Sequence, residues 1–119
     1  MTTKEVAAAF AALCKAGDHE GAAAQFNAPD IVSLEDFAGP MARVEGAAAV
    51  QAKGEWWLGA HEMHEALTEG PWVHGDQFAL RFAMDVTEKA SGKRTKMNEI
   101  GLYTVRDGKV VEERFFYPG

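Results

Sequence analysis

The sequence predicts an α+β fold, with helices first and a sheet of antiparallel strands after them. Three observations predict it. Residues 1–60 hold 17 alanines and residues 61–119 hold 4, and the second half is rich in Phe, Val, Thr and Tyr. Capping signals and 3.6-residue periodicity fall in the first half. Two-residue turn signals fall in the second, and runs of helices followed by runs of strands make an α+β pattern. There is no Pro/Ser/Gly-rich linker and no internal repeat, so residues 1–119 read as one domain. A chain of this size buries roughly two thirds of its unfolded surface.

The elements follow in order. Thr2 stands three residues before Glu5, a capping box that starts the first helix. Val6, Phe10, Leu13 and Cys14 give that helix one apolar stripe, and Gly17 suits the left-handed position that ends it. Asp18 can cap a second helix running to about Phe26, and Pro29 closes that segment. Ile31 to Leu34 is a short strand, broken by Gly39-Pro40. A third helix is expected from Gly46 to Leu58, with Val50, Gly54 and Trp57 on one face. Strands are expected near 61–73, 77–87, 94–105 and 110–117, joined by Gly75-Asp76, a longer turn at Ala90-Ser91-Gly92, and Asp107-Gly108.

Turn geometry sets strand register. A two-residue turn at Asp107-Gly108 puts Val105 opposite Val110, Tyr103 opposite Glu112 and Gly101 opposite Arg114. A turn at 88–93 puts Met84 opposite Met97, Phe82 opposite Glu99 and Phe78 opposite Tyr103. One face then carries Phe78, Leu80, Phe82, Met84, Met97, Glu99, Gly101, Tyr103, Glu112 and Arg114. Asp85 faces Lys96 on the other side as a cross-strand ion pair. Glu99, Glu112 and Arg114 form an acid-rich trio within an apolar wall. Such a trio serves a ligand, or it is a structural network that satisfies its own buried charges.

Composition narrows the function. Eighteen acidic against twelve basic residues give a net charge of −6, which disfavours nucleic acid. No apolar run approaches the ~20 residues that span a bilayer, so no membrane association is expected. Lys4 and Glu5 interrupt the first apolar stretch, so no signal peptide is expected, and the single Cys14 suits a reducing cytoplasm. His61 and His64 are three apart on a strand and point to opposite faces, so no metal site is expected, and no cofactor motif is present. Ile100, Leu102, Phe115 and Tyr117 make an apolar group on the outer face, which predicts a homodimer through that face.

The stretch Ala16-Gly17-Asp18-His19-Glu20-Gly21, Phe26, the pair Glu35-Asp36, the helix start Gly46-Ala47-Ala48-Ala49-Val50 and the hairpin Asp107-Gly108-Lys109-Val110 together resemble the nuclear transport factor 2-like superfamily. That superfamily includes ketosteroid isomerases and SnoaL-like polyketide cyclases. The resemblance covers essentially the whole chain. It implies three helices packed in a curved sheet, a cone-shaped α+β barrel with a deep apolar pocket, and a tendency to dimerise through the sheet. It also implies a catalytic aspartate just after the first strand, the position of Asp36, with Glu99 as its partner on the long strand. The helix-one tyrosine of the isomerases' oxyanion hole is Phe10 here, and the strand aspartate falls near Gly101. Losing one such donor costs roughly 3–4 kcal/mol of transition-state stabilisation, so the chain departs from a standard ketosteroid isomerase. A turn aspartate after a strand is equally a structural choice.

A ligand in such a pocket would contact Phe10, Trp56, Trp57, Phe82, Met84, Met97, Tyr103 and Arg114. The sequence therefore supports a cofactor-free isomerase or cyclase acting on an apolar carbonyl compound, or a non-catalytic ligand-binding or accessory protein on the same fold. An interaction module using the outer sheet face is the third reading.

Overall fold

The computed structural model describes residues 1–118, and Gly119, the last residue of the expected domain, lies outside the described residues. The elements are α1 (Thr3–Lys15), α2 (His19–Phe26), β1 (Asn27–Glu35), β2 (Arg43–Glu45), α3 (Ala47–Ala60), β3 (His61–His74), β4 (Gln77–Glu88), β5 (Arg94–Arg106) and β6 (Lys109–Phe116). The strands form one curved, unclosed sheet in the order β2-β1-β6-β5-β4-β3. It is mixed rather than purely antiparallel, because β1 runs parallel to β6.

The helix boundaries follow from backbone hydrogen bonding. Thr2 Oγ1 accepts from the Glu5 amide at 3.2 Å, and the Thr2 amide donates to Glu5 Oε1 at 2.9 Å. These bonds satisfy two of the orphan donors at the start of α1. At its other end Gly17 has φ +82°. Its amide donates to Cys14 O at 3.0 Å, and the Asp18 amide donates to Leu13 O at 2.9 Å. This closes the helix as a Schellman motif. Asp18 Oδ1 then accepts from Gly21 N at 2.8 Å and starts α2.

Two elements differ from expectation. β1 is nine residues long rather than four, and its pairing with β6 is interrupted between Asn27 and Val32. Pro29, which has no amide to donate, sits in that gap. The three-residue β2 was not expected, being too short to show any periodicity.

The β4–β5 register is as expected: Phe78 opposes Tyr103, Leu80 opposes Gly101, Phe82 opposes Glu99 and Met84 opposes Met97. Asp85 does oppose Lys96, but its partner is different. The carboxylate takes a two-pronged bond from Arg94, at 3.0 Å from Nε and 2.9 Å from the terminal nitrogen. Arg94 lies diagonally across the pair, and its planar fork matches a carboxylate better than an ammonium does.

The β5–β6 register requires a correction. Asp107 and Gly108 have φ +51° and +77°, as a type I′ turn requires. Arg106 opposes Lys109 and Val105 opposes Val110, as expected. The register then shifts, so that Thr104 opposes Glu112, Tyr103 opposes Glu113, Leu102 opposes Arg114 and Ile100 opposes Phe116. Val111 is the extra residue of a β-bulge. A one-residue slip turns every later side chain to the opposite face. Glu113, Phe115 and Tyr117 therefore point inward, and Glu112, Arg114 and Phe116 point outward. The expected Glu99–Glu112–Arg114 trio does not form, and Phe116 replaces Phe115 and Tyr117 in the outer apolar group.

The core lies between α1 and the inner face of the sheet. Val6, Phe10 and Cys14 of α1 are buried with Phe26, Phe78, Leu80 and Tyr103. The Phe10 ring centroid is 4.9 Å from that of Tyr103 and 5.6 Å from that of Phe78. Burial, helped by the charges of Asp18 and Glu113, pushes the Cys14 thiol up to about 12. Cys14 is thus an unreactive packing residue. Among the described residues no helix is long and apolar enough to cross a membrane.

Candidate functional site

The chemistry of the inner face gathers where β1, β5, β6 and α3 meet. Period-two alternation along β1 turns Ile31, Ser33 and Glu35 inward. Parallel pairing sets Ser33 beside Glu113 and Glu35 beside Phe115. Lys53 stands three residues after the buried Val50 on α3, so it reaches down from the same helix face.

The resulting bonds form a chain. Lys53 Nζ lies 2.7 Å from Glu35 Oε1 and donates to Ser33 Oγ at 2.9 Å. Ser33 Oγ donates in turn to Glu113 Oε2 at 2.9 Å. The Tyr117 hydroxyl donates to Glu35 Oε2 at 2.5 Å and also interacts with Glu99. The Glu35 and Lys53 side chains are only 7% and 13% exposed, so water screens their pairing weakly.

One ammonium serves three carboxyl groups here, and the surplus acids respond. Burial, reinforced by the charge of Glu35, pushes the Glu99 carboxyl up to about 7; Glu113 adds to the rise, while Tyr117 and Lys53 oppose it. Burial also raises Glu113, against the pull of its Ser33 hydrogen bond and Lys53. Burial and like charge both disfavour the ionised forms of Glu99 and Glu113.

Further along the same face, a recess of about 260 Å³ opens between His61, Val86, Glu88, Lys93, Thr95 and Met97. Met97 is the next inward residue after Glu99 on β5, about 7 Å along the strand. The His61 ring stacks on Trp57 at 4.3 Å, and its Nδ1 is 2.8 Å from the Trp57 carbonyl. A carbonyl only accepts, so Nδ1 carries a proton. His64 instead bonds Thr87 Oγ1 at 2.7 Å. Among the described residues, no three His, Cys, Asp or Glu side chains cluster as metal ligands would.

A family model described as the SnoaL-like domain matches residues 1–117. The chain belongs to the SnoaL-like domain family. A solved structure from Mesorhizobium loti, described as a candidate SnoaL-like polyketide cyclase, is 54% identical with a TM-score of 0.96, covering 98% of this chain and 100% of that one. A cystatin-like-fold protein from Xanthomonas campestris is 20% identical with a TM-score of 0.78, over 100% of this chain and 92% of that one. A candidate isomerase from Bacillus subtilis is 19% identical with a TM-score of 0.74, over 99% and 90% of the two chains. The last two likenesses speak for the fold alone. No curated protein matches the sequence significantly.

Within this SnoaL-like domain the expected site residues separate into two groups. Glu99, Met84, Met97, Phe82 and Tyr103 share the inner face, and Trp57 reaches the recess through His61. Phe10 is part of the packed core. Asp36 does not join the site: it is exposed in the bend after β1, because alternation gives the inward position to Glu35. Trp56 is also exposed. Arg114 faces outward, 45% exposed and 3.8 Å from Glu112, an ion pair of little energetic weight. Sequence reasoning missed Ser33, Lys53, Glu113 and Tyr117. The spacing Val50, Lys53, Trp57 was the available signal for Lys53, since it places the lysine on the buried helix stripe.

Proposed function

We propose that this SnoaL-like domain binds a small apolar carbonyl compound against its inner sheet face and transfers a proton of that compound with Glu99, without a cofactor. The observation that carries this reading is the Glu99 carboxyl, which burial and the charge of Glu35 push up to about 7 beside the Met97 recess. A proton carrier works best when its pKa lies near the operating pH, because both states are then populated. In its ionised form Glu99 takes a proton from the carbon next to the carbonyl. The C–H electron pair becomes the carbon–carbon double bond, and the carbonyl pair moves to oxygen as an enolate. The protonated Glu99 then returns the proton to the same carbon or to one conjugated with it, so atoms and charge balance. Glu35, held by Lys53 and Tyr117, acts as the fixed negative neighbour that keeps Glu99 basic. The recess volume lies just below the usual range of ligand-pocket sizes, which favours a small compound.

The test is exchange of α-protons in deuterated water over a panel of ketones and enones. Wild type is expected to accelerate exchange, and Glu99→Gln to lower the rate at least 100-fold, the usual scale of a general base. Asp36→Asn separates the two carboxylates, because loss there instead returns the base to the position implied by the family resemblance. Equal rates in all three proteins, with tight binding of an apolar ligand, favour the non-catalytic binding reading.

The reading extends to assembly and compartment. Leu67, Trp72, Ile100 and Phe116 are exposed on the outer face and form an apolar surface suited to a two-fold partner of the same chain. Sedimentation at micromolar concentration is expected to give twice the 12.9 kDa chain mass, and a monomer mass removes the dimer. The free, buried thiol of Cys14 suits a reducing cytoplasm.

A further inference from the structure

Tyr117 stands between two acids and has one proton to donate. The sheet order β1-β6-β5 puts the end of β6 between the other two strands. On the β5 side, Gly101 opposes Phe115 and Ile100 opposes Phe116. Continuing that register one step sets Tyr117 opposite Glu99. On the β1 side, Glu35 opposes Phe115, two positions before Tyr117 on the same inward face. Opposed residues have Cβ atoms about 5 Å apart and diagonal neighbours about 7–8 Å, within reach of an aromatic side chain. The Tyr117 hydroxyl lies 2.5 Å from Glu35 Oε2. Phe37, in the bend after β1, packs on the tyrosine with ring centroids 6.0 Å apart.

The proton count limits what this hydroxyl can do. Burial first, then the bond to Glu35 and the charge of Glu99, hold the phenol far above its usual range, so it keeps its proton. A protonated phenol donates once and still accepts, whereas an ionised carboxylate only accepts. The two acids therefore compete for one donor. They do not compete equally, because Glu35 also has Lys53 Nζ at 2.7 Å. The other bonds of the cluster lead away from Glu99: Lys53 donates to Ser33, and Ser33 to Glu113. Tyr117 is the polar side chain that bonds Glu99.

We propose that Tyr117 is the positioning residue of Glu99, its hydroxyl serving both protonation states of that carboxyl. When Glu99 is protonated, its O–H donates to the phenol oxygen and the phenol proton stays on Glu35. When Glu99 is ionised, the hydroxyl turns and donates to Glu99, while Lys53 keeps Glu35. The phenol keeps its proton in both states, and hydrogen bonds alone change. This rests on the reading of Glu99 as the proton carrier. A carrier that meets the ligand first as base and then as acid needs its carboxyl held in both forms. A partner already in place does so without rearranging the chain.

The chain has two tyrosines, Tyr103 and Tyr117, so NMR of protein labelled with ¹³C at the tyrosine Cζ shows two signals, which Tyr117→Phe assigns. The Tyr117 signal of wild type is expected to step with pH at the midpoint of Glu99, near 7. The step is expected to vanish in Glu99→Gln. Tyr103 is the control, because the charge of Glu99 reaches it without a hydrogen bond. A Tyr117 step no larger than that of Tyr103 reports charge alone and overturns the proposal, as does a flat Tyr117 signal. The second readout is exchange of the methyl protons of acetophenone in deuterated water. In Tyr117→Phe the kcat is expected to fall about tenfold, the scale of one hydrogen bond, with KM unchanged. An unchanged kcat overturns the positioning role, and so does a change confined to KM, which assigns the hydroxyl to the ligand instead. The two readings fail separately. A Tyr117 step in a wild type that exchanges no protons leaves the hold on Glu99 standing and removes proton transfer. Exchange in a wild type with a flat Tyr117 signal does the reverse.

Discussion

Replacing Lys53 with methionine is expected to lower the free energy of unfolding by about 3 kcal/mol at neutral pH, the scale measured when one member of a buried ion pair is removed. Methionine keeps the apolar stem, which packs near the Phe115 ring, where Lys53 Nζ lies 5.8 Å from the centroid. What is lost is the ammonium that Glu35 and Ser33 share. Glu35 then stays buried beside Glu99 and Glu113 with only the Tyr117 hydroxyl to stabilise it. The double variant Lys53→Met/Glu35→Gln is expected to recover most of the loss, because it removes the stranded charge as well. Chemical denaturation of the two proteins measures both quantities. A loss within 0.5 kcal/mol for the single variant, as an ordinary surface lysine would give at about that level, contradicts the cluster.

The second large effect concerns pH. The Glu99 carboxyl moves from 4.5 to about 7 on folding, so between these values the folded chain binds more protons than the unfolded one. Stability therefore falls as pH rises through this window, by about 3 kcal/mol in total for Glu99. Glu113 is raised too, which adds slope of the same sign. Glu99→Gln cannot ionise, so it is expected to flatten the profile and to be more stable than wild type at pH 8 by up to about 3 kcal/mol. Higher stability together with lost proton exchange is the signature of a residue kept for chemistry. Denaturation at pH 5 and pH 8 decides it. Equal stability of wild type and Glu99→Gln at pH 8 denies the burial of a charge there.

Much of the fold was legible in the sequence because its signals are local. The Thr2–Glu5 box, Gly17, Asp18 and the Asp107-Gly108 turn each act within a few residues, and the β4–β5 register follows from alternation alone. Glu99 was placed correctly by that register. The rest of the site depended on one residue, Val111, whose bulge exchanges the faces of Glu112 with Glu113 and of Phe116 with Tyr117. The consecutive valines at 110 and 111 fit either strand face, so alternation could not place the bulge. Lys53 and Ser33 come from α3 and β1, and only tertiary packing joins them to β6. The ion-pair partner assigned to Glu99 failed for the same reason: Arg114 lies past the bulge at Val111 and so faces outward.

In the proposed function the fold tunes Glu99 into a proton carrier for neutral pH. The most direct measurement is an NMR titration of the Glu99 side-chain carboxyl carbon in protein labelled at glutamate, with Glu99→Gln supplying the assignment. A midpoint near 7 is expected. A midpoint near 4.5, the ordinary glutamate value, contradicts the claim and leaves Glu99 a constitutive charge on the wall of the sheet.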